Sequence, residues 1–144
     1  MRGIGFGRHV GATPDGRRAG EPLADSLGPV QGKDGAGPTA MLLSAAKPDL
    51  REAISGYVLN LKLSRGVFDE AGLDRLVALV QGYFAQGGQM VQISVVSADD
   101  LREAQAEPEK HTGLIVRVGG FSGYFVRLDR ALQDEIISRT EHAI

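Results

Sequence analysis

The segment LIVRVGGFSGYFVRL, Leu114 to Leu128, places the most flexible residue type inside the most strand-like run of the chain. Its first half is apolar and rich in β-branched residues, which predicts a strand over GLIVRV. Gly119 and Gly120 then interrupt the run, and Gly123 follows before two aromatic residues. Taken locally, the glycine pair predicts a β-bulge or a tight bend, because glycine lets the backbone turn or lets another backbone approach closely.

Two further strands are predicted upstream of this segment. SGYVLNLKLS, Ser55 to Ser64, alternates three leucines with Asn60 and Lys62, which is typical of a strand with one face exposed. QMVQISVVS alternates Val91, Ile93 and Val95 with polar residues and also predicts a strand.

Helices are predicted between and after these strands. TAMLLSAAK predicts a short buried helix that ends near Pro48, and DLREAI predicts one or two further turns. FDEAGLDRLVALVQGYFAQ predicts a helix that stops at Gly87-Gly88. Its buried face is predicted to comprise Leu73, Leu76, Val77, Val80, Tyr83 and Phe84.

The last two helices carry capping signals. SADDLREAQ has Ser97 and Asp100 in capping-box spacing, with Leu101 and Ala104 facing inward, and ends before a proline. LDRALQDEIISRTEH predicts a final helix with Asp129 as its N-cap, and with Leu132 and Ile136 on the buried side. Because strands and helices alternate, the predicted class is α/β.

The first third of the chain differs from the rest. Residues 1–38 hold ten of the 20 glycines and four of the six prolines, without sustained apolar periodicity, so only irregular structure is predicted there. The order Pro-Asp-Gly within ATPDGRRAGEP is typical of a turn. A compact domain seldom begins with so long a loop, and we therefore expect this segment to pack against something larger.

Composition narrows the function classes. The chain has 144 residues, of which 42% are hydrophobic and 24% charged, as in soluble globular domains. Its 16 basic and 18 acidic residues are well mixed, which argues against a nucleic-acid or anionic-membrane surface. No apolar run approaches the length of a membrane span and no secretory leader is apparent. We therefore expect a cytoplasmic protein that binds neither nucleic acid nor membrane.

Several kinds of site find no support in the sequence. The chain has no cysteine, which excludes disulfides, thiolate metal ligands and a cysteine nucleophile within it. His9, His111 and His142 are far apart and lack metal-binding spacing, so no metal ligand is predicted. GIGFGRH lacks the preceding strand and following helix of a phosphate loop. No GxSxG elbow organises the serines, and no bound cofactor is predicted.

The residues around the glycine pair resemble a known sequence signature. Arg117-Val118-Gly119-Gly120-Phe121, followed by Tyr124-Phe125, resembles RVxGYxxxF, the glycyl radical signature of the pyruvate formate-lyase and diol dehydratase superfamily. Four more blocks resemble the C-terminal region of that superfamily in the same order: TPDGRRAGEPLADSLGPVQGKDGAGPTA with SAAK, GYFAQGGQMVQISVVS, LREAQAEPEKHTG and LQDEIISRTEH.

The resemblance implies a fold. The family fold is a ten-stranded α/β barrel, and this chain is expected to form its C-terminal portion, ending in the glycyl radical loop and a C-terminal helix. Residues 1–39 would be a loop-rich segment that packs on a barrel outside this chain. Residues 40–144 would be the α/β glycyl radical domain, a single structural unit.

The resemblance also implies a role for Gly120 as the catalytic residue. In the family, an activating enzyme that uses S-adenosylmethionine and an iron-sulfur cluster removes a hydrogen atom from this α-carbon. The resulting radical prefers a planar α-carbon, which a side chain would crowd and which glycine permits. The residues expected to support this loop are Arg117, Val118, Gly119, Phe121, Tyr124 and Phe125.

These supporting residues have different expected tasks. Val118, Phe121, Tyr124 and Phe125, together with Ile115 and Val116, are expected to shield the radical from oxygen and solvent. Arg117 is expected to fix the strand register by pairing with an acid or a carbonyl, or else to serve recognition by the activating enzyme. Gly119 occupies the variable position of the signature and would ease the bend. Phe121 stands where the family most often has tyrosine, so a loop-anchoring hydroxyl is missing.

The missing cysteine limits what the chain does alone. In the family, the glycyl radical generates a thiyl radical on a cysteine that lies upstream of the region resembled here. The expected partners are therefore the activating enzyme, the remainder of a glycyl radical enzyme in the same polypeptide or a separate subunit, and a small-molecule substrate. The implied activity is that of a glycyl radical lyase or formate acetyltransferase-like enzyme. The residues of GGFSGYFV resemble the dehydratase, decarboxylase and lyase branch of the family more than pyruvate formate-lyase itself.

Two alternatives remain open at this point. A stand-alone spare-part subunit could replace the damaged C-terminus of an oxygen-cleaved enzyme, although such proteins resemble this chain mainly over its last third. A non-catalytic binding module could retain the sequence without being activated.

Overall fold

Helices and strands alternate along residues 2–30, 32–52, 54, 56–139 and 141–143, which the computed structural model describes. The helices are α1 (Arg2–Gly7), α2 (Pro38–Ala45), α3 (Gly72–Ala85), α4 (Ala98–Ala106) and α5 (Arg130–Ser138). The strands are β1 (Leu59–Leu63), β2 (Val91–Val95), β3 (Ile115–Arg117), β4 (Ser122–Tyr124) and β5 (Glu141–His142). The predicted α/β class is confirmed. Among the described helices, none is long and apolar enough to cross a bilayer.

A parallel sheet in the order β2, β1, β5 occupies the centre of the described chain. β1 pairs along its full length with β2, from Leu59 opposite Val91 to Leu63 opposite Val95. On its other side, β1 pairs with β5. The final helix was predicted to reach His142, and this is wrong. α5 ends at Ser138, and the edge of β1 takes up Glu141 and His142 as a strand.

Strand β1 is shorter than predicted and is covered on both faces. It begins at Leu59, whereas the predicted start, Ser55, lies outside the described residues. Lys62 was expected to face solvent but is 4% exposed, and its Nζ donates to the Ile137 carbonyl at 3.4 Å. The strands of a parallel sheet are usually buried on both sides, which overrides the alternation seen in the sequence.

Helix α3 stops where predicted. Gly87 has φ +94°, and its N–H donates to the Phe84 carbonyl at 3.0 Å, while Gly88 donates to Tyr83 at 3.0 Å. This pair of hydrogen bonds is the Schellman motif, in which a left-handed glycine satisfies the last carbonyls of a helix.

The buried face of α3 is only partly the predicted one. Tyr83 is fully buried, and Leu76 and Val80 are half-buried, but Leu73, Val77 and Phe84 are about half exposed. The actual face runs through Gly72, Leu76, Leu79 and Tyr83. Gly72 sets it, because a Cβ there would meet the Gly66 and Val67 carbonyls at 2.6 Å. The sequence does not reveal this choice, since α3 carries apolar residues on more than one side.

A second core lies between α4, α5 and the hairpin of β3 and β4, and it contains Leu101, Ala104, Val116, Val118, Phe125, Leu132 and Ile136. Both predicted caps are present. The Asp100 N–H donates to Ser97 Oγ at 3.0 Å with the reciprocal bond also formed, and the Leu132 N–H donates to Asp129 Oδ1 at 3.0 Å. These local signals fix the directions from which α4 and α5 approach the hairpin.

The N-terminal third is not wholly irregular, contrary to the prediction, because α1 forms there. Two of its three glycines lie against the backbone of residues 21–24: a Cβ on Gly3 would come within 2.8 Å of the Leu23 carbonyl, and Gly7 makes a similar approach to Glu21. The Leu23 N–H also donates to the Gly3 carbonyl at 3.0 Å. Close tertiary packing therefore stabilises a helix whose glycines have poor intrinsic propensity.

Candidate functional site in the glycine turn

Gly119 and Gly120 are the central residues of a tight hairpin turn between β3 and β4. The antiparallel register places Arg117 opposite Ser122, and the Val118 N–H donates to the Phe121 carbonyl at 2.9 Å. Of the two alternatives left by the sequence, the tight bend is therefore correct and the bulge is not. The turn carries the central residues of the signature to the end of the hairpin.

The two glycines of the turn differ. Gly120 has φ +82°, the sign that the third residue of a type II turn requires, whereas Gly119 does not have a positive φ. Both residues are exposed. A Cβ placed on Gly120 would meet no heavy atom within 4 Å, so the α-hydrogen in that direction faces open space. Within the described part of the chain, no group blocks the approach to the Gly120 α-carbon from this side.

Gln92, on β2, lies beside the turn. Its Oε1 accepts a hydrogen bond from Arg117 Nε at 2.8 Å and a longer one from the Gly120 N–H at 3.4 Å. Arg117 also donates from Nη1 to the Ser122 hydroxyl at 3.2 Å. Arg117 thus binds an amide oxygen and a hydroxyl rather than an acid, and it links β2, β3 and β4 at the base of the turn.

Arg139 lies just beyond the end of α5 and reaches the same turn. Its Nη1 donates to the Arg117 carbonyl at 3.0 Å, and its Nη2 donates to the Val118 carbonyl at 2.6 Å. The guanidinium also pairs with Glu135 at 3.1 Å and with Asp25 at 3.5 Å. Its side chain is 11% exposed, so these contacts form largely out of solvent.

The charges near Arg139 affect Lys62 of β1. Burial lowers the pKa of Lys62, and Glu141 partly opposes this while the nearby Arg102 and Arg139 add to it. The polar side chains here come from distant parts of the chain. Asp25, in the N-terminal loop, also accepts a hydrogen bond from Asn60 Nδ2 of β1 at 2.5 Å. The turn therefore rests on a charged, largely buried layer.

Three of the six residues predicted to shield Gly120 are buried in the described chain. Val116, Val118 and Phe125 are buried, and they pack in the second core beneath the turn. Ile115, Phe121 and Tyr124 are 58%, 47% and 43% exposed. These three side chains lie on the outer side of the hairpin, since alternate residues of a strand face opposite sides, and their role in enclosing Gly120 stays a prediction.

The exposed side of the hairpin carries one further interaction. The Arg127 guanidinium lies over the Tyr124 ring, 4.9 Å from its centroid, which is within cation–π range. Together with Ile115 and Phe121, this ring forms an apolar outer face on the hairpin.

Sequence reasoning missed Gln92 and Arg139. Gln92 had been assigned to the polar side of a strand, and Arg139 to the middle of a helix. Both lie in blocks that resemble the family, GYFAQGGQMVQISVVS and LQDEIISRTEH, and that resemblance was the available signal. Their contacts with the turn span 25 and 21 or more positions, which local patterns do not encode.

Comparison with known proteins gives a consistent result. A family model described as "Glycine radical" matches residues 23–126, which include the whole hairpin. Trans-4-hydroxy-L-proline dehydratase from Clostridioides difficile is 42% identical over 139 residues, covering 96% of this chain and 18% of that protein. Indoleacetate decarboxylase from Tractidigestivibacter scatoligenes is 41% identical over 138 residues, covering 94% of this chain and 16% of that protein.

A solved structure agrees in fold. The glycerol-bound form of the B12-independent glycerol dehydratase from Clostridium butyricum has a TM-score of 0.95 and 43% identity, covering 99% of this chain and 18% of that chain. The predicted fold, a C-terminal portion of the glycyl radical enzyme barrel, is confirmed. The chain spans 16% to 18% of the length of the curated relatives described above. The chain belongs to the glycyl radical family.

Proposed function

We propose that this chain stores an unpaired electron on the α-carbon of Gly120. Membership of the glycine radical family implies a glycyl radical formed after translation, and the position of Gly120 in RVGGF supports its choice over Gly119. The observation that carries the proposal is the open space at the Cβ position of Gly120, on an exposed hairpin turn. A hydrogen-abstracting group needs such access.

An activating enzyme supplies the chemistry in this proposal. It uses S-adenosylmethionine and an iron-sulfur cluster to generate the acceptor to which the Gly120 hydrogen atom passes. In this proposal, the chain itself binds no metal or cofactor for this step. Its own contribution is to present the α-carbon, to let that carbon become planar without a side chain, and to hold the flanking amides.

The residues around Gly120 have proposed tasks that follow from their contacts. Arg117 and Gln92 tie the turn to β2, and Gln92 accepts from the Gly120 N–H. Val118 and Phe125 are buried and anchor the hairpin in the second core. Phe121 and Tyr124 form the outer face, which would exclude water once another surface covers it. Gly119 would ease the turn.

We further propose that the chain acts with the remainder of a glycyl radical enzyme, in the same polypeptide or as a separate subunit. The chain contains no cysteine, so the thiyl radical that attacks a small-molecule substrate would form outside it. Residues 1–39 would pack on that remainder, and residues 40–144 would form the radical domain. The site of action would be the cytoplasm.

The similarity to a dehydratase and to a decarboxylase supports the lyase branch of the family over formate acetyltransferases. The match covers 94% to 99% of this chain, including its N-terminal third, and this favours part of such an enzyme over a spare-part subunit. A non-catalytic binding module is the remaining alternative, which the following experiment separates.

The test is anaerobic incubation of the chain with a reduced activating enzyme and S-adenosylmethionine, followed by electron paramagnetic resonance. We expect a doublet-type organic radical signal that Gly120→Ala abolishes. Gly119→Ala is the matched control and retains the signal, because the nearest group to its Cβ beyond its chain neighbours would be Asp25 Oδ1, at 3.9 Å. A signal that persists in Gly120→Ala contradicts the proposal, and no signal in any variant favours the binding module.

A further inference from the structure

Arg139 makes contacts that an ordinary surface arginine does not. It lies 19 positions beyond Gly120 in sequence, yet its guanidinium binds the carbonyls of the two residues that lead into the glycine turn, Arg117 and Val118. Successive carbonyls of an extended strand point to opposite sides. One planar guanidinium can therefore bind both only where the strand bends, and Arg139 holds that bend.

The guanidinium is itself fixed in place. Glu135, one turn earlier on the chain, receives Nε at 3.2 Å and Nη2 at 3.1 Å, which is the two-point geometry that orients an arginine fork. Asp25, from the N-terminal loop, adds an ion pair at 3.5 Å. The side chains of Arg139 and Glu135 are 11% and 12% exposed. A pre-oriented, partly desolvated donor binds carbonyls more strongly than a free surface side chain does.

At the base of the turn, Arg117 Nε also donates to Gln92 Oε1 at 2.8 Å, whereas the tip of the turn is held more weakly. The Gly120 N–H reaches Gln92 at 3.4 Å, and no heavy atom lies within 4 Å of the Cβ position of Gly120. Moving the turn away from the body of the chain would break this long bond and the two carbonyl contacts of Arg139. Because the Arg139 contacts are charge-assisted and shorter than the Gly120 bond, they resist displacement of the tip of the turn more than that bond does.

We propose that Arg139 is the positioning residue of the glycine turn, and that its release from the Arg117 and Val118 carbonyls controls how often the exposed turn moves clear of β2 and presents Gly120 to an activating enzyme. This proposal rests on the proposed function of Gly120. Without the guanidinium, the turn opens more often. Activation then becomes faster, because the α-carbon is presented more often, and the stored radical becomes shorter-lived for the same reason.

The first experiment is amide hydrogen exchange of the full chain, which does not depend on radical chemistry. We compare Arg139→Gln and Arg139→Lys with Arg130→Gln, a control arginine whose exposed ion pair with Asp134 lies at the other end of α5. We expect peptides over residues 117–122 to exchange about tenfold faster in both Arg139 variants. Lysine does not rescue, because an ammonium lacks the planar fork.

Exchange in α3 serves as the internal reference. The proposal is overturned if the amides of residues 117–122 exchange at the wild-type rate in Arg139→Gln. It is also overturned if amide exchange in α3 becomes faster by the same factor. If Arg139→Gln unfolds the chain, Glu135→Gln gives the answer: it keeps the guanidinium but removes its orienting carboxylate. Acceleration confined to residues 117–122 then supports the proposal, and unchanged exchange there overturns it.

The second experiment follows the radical signal in the same variants. We expect Arg139→Gln to form the signal faster and to lose it faster in buffer with trace oxygen, while Arg130→Gln matches the unchanged chain. A general loss of folding would lower both the rate of formation and the yield, so the opposite changes in formation and lifetime identify a positioning role. If the unchanged chain also gives no signal, the proposed function of Gly120 fails, and hydrogen exchange still decides the role of Arg139.

Discussion

The chain contains two pairs of adjacent glycines, each just after a helix or strand, and the two pairs differ in what their glycines contact. Gly87 needs its positive φ to end α3, and a Cβ on Gly88 would collide with the ring of the fully buried Tyr83. Gly120 also has a positive φ, and a Cβ there, like one at Gly87, would meet no heavy atom within 4 Å, while Gly119 has neither a positive φ nor a close neighbour. Packing and backbone conformation explain the first pair completely and the second only in part.

The groups that surround the two pairs also differ. At Gly87-Gly88 the absence of side chains serves the fold, because Tyr83 belongs to a hydrophobic core that α2 and β1 form through residues such as Leu42 and Leu61. At Gly119-Gly120 the surroundings are polar on one side, through Gln92 and Arg139, and open on the other. Because Gly87 has the same open Cβ position, the place of Gly120 in RVGGF, and not its openness alone, makes it the candidate reactive glycine.

The largest expected effect separates the pairs by chemistry. After activation, exposure to air should break the backbone at Gly120 and leave Gly87-Gly88 intact, because only an α-carbon that holds an unpaired electron reacts with oxygen in this way. Mass spectrometry of the fragments measures the position of the break. Chain that was never activated is the control, and cleavage at another residue would contradict the assignment.

The next largest expected effect is a steric one, on the free energy of unfolding. Gly88→Ala should lower the free energy of unfolding by about 1–3 kcal/mol, because Tyr83 must shift within a packed core. Gly119→Ala should change it by less than about 0.5 kcal/mol, since its site is exposed and open. Denaturant titration of both variants measures the difference. Equal losses would mean that the turn has a packing partner like that of Gly88.

Backbone conformation predicts a smaller effect that the two pairs share. Gly87 and Gly120 have φ of +94° and +82°, so alanine at either position should cost about 1–2 kcal/mol from its Cβ alone. Thermal unfolding of Gly87→Ala and Gly120→Ala tests this equality. A much greater loss at Gly120 would indicate contacts that the open Cβ position does not reveal.

The charged layer beneath the second pair gives the smallest effect. Because burial lowers the pKa of Lys62, the folded chain disfavours its protonated form relative to the unfolded chain. Stability should therefore rise as the pH increases from the folded pKa of Lys62 towards its usual value of 10.5, where the unfolded chain still holds the proton.

Lys62→Met removes this dependence, so its gain in stability should be greatest near neutral pH and shrink as the pH rises. Denaturant unfolding at several pH values measures it. Lys33→Met, in an exposed loop, is the matched control. A gain that grows with pH would contradict the direction of the Lys62 shift.

Local signals in the sequence predicted those elements that depend on near neighbours. Ser97 with Asp100, Asp129, and Gly87-Gly88 marked helix ends correctly, because each acts through hydrogen bonds within a few residues. The radical signature identified the turn, although its geometry as a hairpin was left open between a bulge and a bend.

The features that were missed depend on distant partners. Helix α1 is stabilised by the loop near Leu23, and β5 by pairing with β1 almost 80 positions earlier. The polar partners of the turn, Gln92 and Arg139, belong to elements whose own patterns concern only their core faces. The outward orientation of Ile115 and Tyr124 likewise follows from hairpin register, which the sequence did not specify.

The contacts of strand β5 bear on the order in which the chain assembles. His142 Nε2 lies 3.0 Å from Asp34 Oδ2, and the Ser64 N–H donates to the His142 carbonyl at 2.9 Å. Such contacts between distant positions form late, because a long loop must close before they are made. During synthesis, the edge of β1 stays unpaired until His142 has left the ribosome. The glycine turn, whose Arg117 and Val118 carbonyls bind Arg139, likewise gains these contacts only after the residues of both β3 and β4 have been synthesised.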